Sequence, residues 1–218
     1  MTATRHLFAV AVVTLLVIEA WTQMTNPTSA PQLSDADADR WSFSADAWGY
    51  LVPNDESYFS PTLSADHQWL HLEARYNYES QRTGSLWAGY NFSVGNKIVF
   101  DATPMLGVVF GSTTGVAPGY AMALTYKRIE LSSQGEYLID TKGNTGDFLY
   151  SWNEFVYSPT DWFHAGLVAQ RTRAYQTPLD VQRGVSTGLA FRKLDFTTYV
   201  LNFGWTQPTV ILALGFKF

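Results

Sequence analysis

The chain has 218 residues, of which 46% are hydrophobic, 16% aromatic and only 15% charged, with a net charge of −5. That balance excludes a protein that grips nucleic-acid backbones, which needs an excess of Lys and Arg, and zero cysteines exclude disulfides, thiol catalysis and zinc–cysteine sites. A mean hydropathy of −0.08 has the look of a soluble protein, but strict alternation of apolar and polar residues averages to the same value.

At the start, Arg5 and His6 precede an apolar run from Leu7 to Ile18, which suits a secretory signal and is too short to span a bilayer. Residues 1–20 are therefore expected to be a signal peptide, cut after Ala20 or, as a second choice, after Ala30; an uncleaved anchor is the alternative. Residues 21–40 are polar and rich in Pro, Ser and Asp, and read as a flexible leader. Residues 41–218 form the folded domain.

From Trp41 the chain divides into strand-sized pieces of period two, separated by turn chemistry. Phe43, Ala45, Ala47, Gly49 and Leu51 form one row, opposite Ser44, Asp46, Trp48 and Tyr50. A weaker strand over 57–66 carries Pro61, which fits an edge, bulge or kink. Over 69–78, Leu70, Leu72, Ala74, Tyr76 and Tyr78 oppose Trp69, His71, Glu73, Arg75 and Asn77. Leu86 to Phe92 alternates again, before a tight turn at Gly95-Asn96-Lys97. A long apolar row runs from Ile98 to Phe110 and is followed by an expected loop over 111–118. The pairs of rows at 120–127 and 129–139 meet at a minimal turn near Arg128, and a Gly/Asn/Asp loop spans 140–146. Facing is ambiguous over 147–157, because Trp152 and Glu154 share a side. Strands over 162–174, 181–192, 194–204 and 208–218 complete about twelve, within a range of 10–12. Short connections at His67, Asn96, Arg128, Thr160 and Lys193 alternate with longer polar ones at Asn54, Arg82, Thr114, Gly143 and Pro178. Only the connection at Thr206 reads as short where length is expected.

The last strand, Pro208 to Phe218, sets Val210, Leu212, Leu214, Phe216 and Phe218 in one row. An apolar strand of this kind invites aggregation unless it is paired, and a closed barrel pairs it with the first strand. With its alternating apolar residues and closing aromatics, the segment resembles the C-terminal assembly signal of bacterial outer-membrane β-barrels. The resemblance names Leu214, Phe216 and Phe218 as that signal and the barrel-assembly machinery as a partner. It implies an all-β, closed antiparallel transmembrane barrel in the outer membrane, with short turns periplasmic and long loops outside. A secreted sandwich or lipocalin-like barrel is the soluble alternative.

In such a barrel the apolar rows face lipid, and the opposite rows collect Asp46, His71, Glu73, Arg75, Asp101, Lys127, Glu130, Glu136 and Arg192 as candidate pore-lining residues. The functional expectation is a porin-like channel for small solutes; a salt-bridged lumen that plugs the barrel is the alternative, and twelve strands fall between filled and open barrels. Arg171, Arg173 and Arg183 cluster toward the outer end of two strands and are candidates for contact with lipopolysaccharide phosphates, besides outer-membrane lipid. No catalytic residue, metal site or cofactor is expected, and nucleic acid is not an expected partner. An outer-membrane hydrolase is the less favoured reading, because no Gly-x-Ser-x-Gly, His-Glu-x-x-His or phosphate-cradling loop occurs.

Overall fold

The computed structural model describes residues 40–52, 56–143, 146–174, 180–204 and 208–218. The expected signal peptide and, apart from Arg40, the leader lie outside the described residues. Thirteen strands follow in order: β1 (Ser42–Leu51), β2 (Tyr58–His67), β3 (Leu70–Tyr76), β4 (Thr83–Tyr90), β5 (Phe92–Gly95), β6 (Ile98–Gly111), β7 (Gly115–Tyr126), β8 (Ile129–Asp140), β9 (Phe148–Tyr157), β10 (Phe163–Ala174), β11 (Asp180–Phe191), β12 (Leu194–Leu201) and β13 (Thr209–Lys217). Both β4 and β5 pair with β6, one above the other, so they are halves of a single stave broken at Asn91. The strands thus make twelve staves, each antiparallel to its neighbours.

The ring closes because β1 pairs with β13, from Ser44 opposite Lys217 to Leu51 opposite Val210. Phe43 and Phe218 extend this join with two backbone bonds, Phe43 N–H to Phe218 O at 3.1 Å and Phe218 N–H to Phe43 O at 2.9 Å. Closing the ring satisfies the backbone rows of the first and last strands, the condition for backbone to sit in hydrocarbon; the short β5, bonded to β6 alone, keeps one open edge.

Alternation then sorts the side chains. Leu63, Leu86, Leu106, Leu167 and Val185 are all more than half exposed on the outer face, whereas Trp87, Val109, Leu138 and Trp152 on the opposite faces are buried. In water such an outer surface would be a large apolar patch; against lipid tails it is the stable arrangement. Aromatics mark the lower border of this belt. Trp41 stacks on His67 (5.0 Å between centroids), Trp69 on Tyr90 (5.6 Å) and Phe43 on Phe218 (5.7 Å).

The turns follow the expected asymmetry. Gln68, Lys127 and Arg192 take left-handed φ values of 53–55° in two-residue turns, the geometry whose twist matches paired strands. At the opposite end most connections are longer. Three expectations change. The loop placed over 111–118 is shorter, because β7 begins at Gly115 and carries Pro118 within it; Pro118 pairs with Leu106 but falls in a gap of the β7–β8 ladder, where its missing N–H is tolerated. β12 stops at Leu201 and β13 starts at Thr209, so the last connection is long, as the alternation requires; the alternation fails instead at Ser112–Thr114, a connection shorter than the one between Tyr157 and Phe163 at the other end. Trp69 does not face inward with His71: it lies in the β2–β3 turn, exposed, against Tyr90.

Pro61 sits opposite Ala47, and pairing of β2 with β3 begins only at Thr62. The proline therefore ends one ladder without breaking the other.

Candidate functional site

The lumen is layered. Toward the end with long connections, Tyr50, Tyr58, Tyr78 and Tyr150 border a cavity of about 300 Å³ together with Glu79, Phe148 and Gln170. One residue pair further down each strand, Trp48, Trp152 and Tyr199 meet in a three-way aromatic cluster, with centroid separations of 5.2, 5.3 and 5.1 Å. Trp48 stands on β1 and Trp152 on β9, so this contact spans the barrel and not a single pair of neighbours. The indole N–H of Trp152 and the hydroxyl of Tyr199 both donate to Glu154 Oε1, the latter at 3.1 Å.

The other flank is built around Arg75. Its guanidinium lies 4.4 Å from the ring centroids of both Tyr78 and Trp87, pairs with Glu73, and reaches Glu136 Oε2 at 3.0 Å. Trp87 lies flat because β6 and β7 present glycines beneath it. A Cβ on Gly107 would come within 2.5 Å of the indole, and one on Gly119 within 2.8 Å. Glu73 in turn accepts from His71 Nε2 at 2.8 Å, and His71 Nδ1 meets Asp66 at 2.7 Å. Asn91 donates to the same Asp66 oxygen and accepts from Thr103 at 2.8 Å, which holds the break between β4 and β5 inward.

Below these layers the lumen is acidic. Asp46, opposite Gly215, and Asp101, Glu130, Glu154 and Asp195 all point in, with Lys217 at the same level. Among the described residues neither carboxylate oxygen of Asp101 has a hydrogen-bond partner, nor has Oε1 of Glu130 or of Glu136, although all three residues are buried. His164 contacts Thr197 at 2.9 Å, and Thr197 donates to Asp195 at 2.8 Å.

Of the residues picked out by alternation, Asp46, His71, Glu73, Arg75, Asp101, Glu130 and Glu136 lie on the inner face. Lys127 and Arg192 do not. Both sit in two-residue turns, with their cations over the outward rings of Tyr126 (5.2 Å) and Phe191 (5.4 Å), because such a turn takes them out of strand alternation. Arg171 and Arg183 are exposed on the outer face of β10 and β11; Arg173 belongs to β10, opposite Leu149. Leu214, Phe216 and Phe218 face outward in or just beyond β13. Missing from the sequence reading were Asp66, Glu79, Glu154 and Asp195, and the aromatic layers that separate them. The signal was present: polar residues at inner positions of otherwise apolar strands, and glycines placed where an indole crosses.

A closed twelve-stave ring with an apolar outer belt, aromatic borders and a polar, charged interior defines a transmembrane β-barrel, the fold of bacterial outer-membrane porins. Among solved structures the chain is similar to the KdgM porin, at 13% identity over 80% of this chain and 99% of that one with a TM-score of 0.56. It is similar also to the KdgM porin in complex with disordered oligogalacturonate, at 12% identity, the same coverage and a TM-score of 0.57. No family model and no curated protein matches the sequence.

Proposed function

We propose that this protein is an outer-membrane channel that passes small solutes through a narrow polar lumen, lined by Asp46, His71, Glu73, Arg75, Asp101, Glu130 and Glu136. The observation that carries the reading is the run of inward charged and polar groups from the outer cavity to the periplasmic mouth, in a barrel whose neighbours by fold are porins. Carboxylates on this path outnumber the fixed cations Arg75 and Lys217, so the channel favours cations over anions. The oligogalacturonate of the KdgM complex is a polyanion and suits such a lumen poorly. Lys127 and Arg192 stand at the periplasmic mouth, outside the path.

The test is single-channel conductance of the refolded protein in a planar bilayer, with Glu73→Gln and Arg75→Gln beside it. Stable ohmic openings are expected, with cation preference falling in the first variant and rising in the second. Silence from a barrel that migrates as folded on a gel without heating sinks the channel. The cross-lumen contacts of Trp48 with Trp152 and of Arg75 with Glu136 favour a second reading in that event, a plugged barrel that acts through its surface.

On the outer wall we propose that Arg171, Arg173 and Arg183 contact lipopolysaccharide phosphates, since guanidinium forks suit phosphate, and that β13, with Leu214, Phe216 and Phe218, is read by the barrel-assembly machinery. The proposal is not enzymatic. Both ring nitrogens of His71 are engaged by carboxylates, and the Thr197 hydroxyl beside His164 donates to Asp195 rather than to the imidazole, which is not the arrangement of a base activating a nucleophile.

A further inference from the structure

The outer cavity is chemically unlike the lumen beneath it. Tyr50 and Tyr58 stack at 4.4 Å, and Tyr78 and Tyr150 meet edge to face at 5.6 Å, so four phenol rings stand in a wall completed by polar residues such as Glu79, Ser80, Thr113 and Gln170. The charged residue in the wall is Glu79. Its Oε1 accepts from Ser85 and from the Trp87 indole at 3.3 Å, while Oε2 is buried with no hydrogen-bond partner among the described residues. Among the described residues no Lys or Arg lines the cavity. Just beneath, the protein places a cation of its own on the same aromatic surface: the Arg75 guanidinium lies 4.4 Å from the Tyr78 ring centroid. Glu73 and Glu136 already hold that guanidinium, and Glu136 Oε1 is left without a partner like Glu79 Oε2. Beside the phenol rings the cavity thus offers one carboxylate, Glu79, whose Oε2 no hydrogen bond among the described residues satisfies.

We propose that this cavity binds small organic cations, alkylammonium or quaternary ammonium ions, between the tyrosine rings and the Glu79 carboxylate. Ring faces attract cations that are weakly hydrated and large enough to touch several rings at once. A hard metal ion wants six or more oxygens, which the phenol faces do not offer. An anionic sugar would meet Glu79 with no cation in the wall to answer it. The proposal rests on the channel reading for where the ligand goes next, but not for its binding.

The experiment is calorimetric titration of the full folded chain in detergent micelles with choline and with 3,3-dimethylbutan-1-ol, in which carbon replaces the quaternary nitrogen. Choline is expected to bind saturably, with the alcohol at least about tenfold weaker. Glu79→Gln and Tyr150→Leu are each expected to weaken choline about tenfold; Glu79→Gln is nearly isosteric and keeps the test informative where the leucine variant does not fold. Equal affinity for the two ligands overturns the proposal, as does no choline binding by a barrel that is folded by gel shift, or binding of maltose with choline silent. Conductance measured in parallel separates the two readings. A conducting barrel indifferent to choline overturns this site and leaves the channel, whereas choline binding by a silent barrel supports the site and overturns the channel.

Discussion

Arg75 and Glu136 touch across the barrel. Three staves separate β3 from β8, yet Arg75 Nη1 donates to Glu136 Oε2 at 3.0 Å, which requires the ring to be narrow on this flank. Removing one partner of a buried pair strands the other charge, at a cost of roughly 3–5 kcal/mol. Arg75→Met is therefore expected to destabilise the barrel by about 3 kcal/mol in urea unfolding from lipid vesicles, and adding Glu136→Met is expected to recover part of that loss. Simple additivity of the two changes would show that the pair is not coupled.

The aromatic cluster of Trp48, Trp152 and Tyr199 lies between the outer cavity and the acidic lower lumen. If it sets the bore, replacing Trp48 and Trp152 by Ala will raise single-channel conductance about twofold or more. Truncating two packed indoles costs several kcal/mol (roughly 3–5 for a single core Trp), so folding must be confirmed by gel shift first. Unchanged conductance in a folded double variant would move the narrowest point to the Arg75 flank.

Gly107 exists so that Trp87 can lie flat. A Val there would drive its side chain into the indole, given the 2.5 Å approach of a bare Cβ. Overpacking of this kind costs about 1–3 kcal/mol. The expected outcome for Gly107→Val is a lower urea midpoint and a shifted tryptophan emission, and an emission spectrum identical to wild type would show that Trp87 does not need the glycine.

Phe218 stacks on both Phe43 and Phe216, at 5.7 and 5.5 Å. Aromatic pairs of this geometry contribute about 0.5–1.5 kcal/mol beyond burial. Phe218→Ala is expected to leave the β1–β13 register intact while lowering the fraction of chain that reaches the heat-modifiable folded form. A yield equal to wild type would remove any role of that ring in assembly.

What could be read from the sequence tracks how local its cause is. Alternation is a property of neighbouring residues, so the inward placement of Glu73, Arg75 and Asp101 follows from counting by twos, as do the outward Leu214 and Phe216. Lys127 and Arg192 were misplaced because a turn resets the count, and no residue type announces where a two-residue turn starts when its left-handed position is a lysine or an arginine. The contact of Trp48 with Trp152 was beyond reach for a different reason. It depends on how far the ring is flattened, which is set by all the staves together. Glu154 was ambiguous only while Trp152 was assumed to face lipid, and a tryptophan turns inward when an acceptor waits beside it.

The join of Ser44 to Lys217 has a consequence in time. Every other ladder links strands adjacent in the sequence or nearly so, and those contacts form with little loss of chain entropy. This one unites the two ends of the folded domain, the least local contact the topology allows, and rates fall as contacts become less local. Hairpins can therefore zip up in succession long before the cylinder shuts. The topology predicts that this closure comes last, after the hairpins have formed.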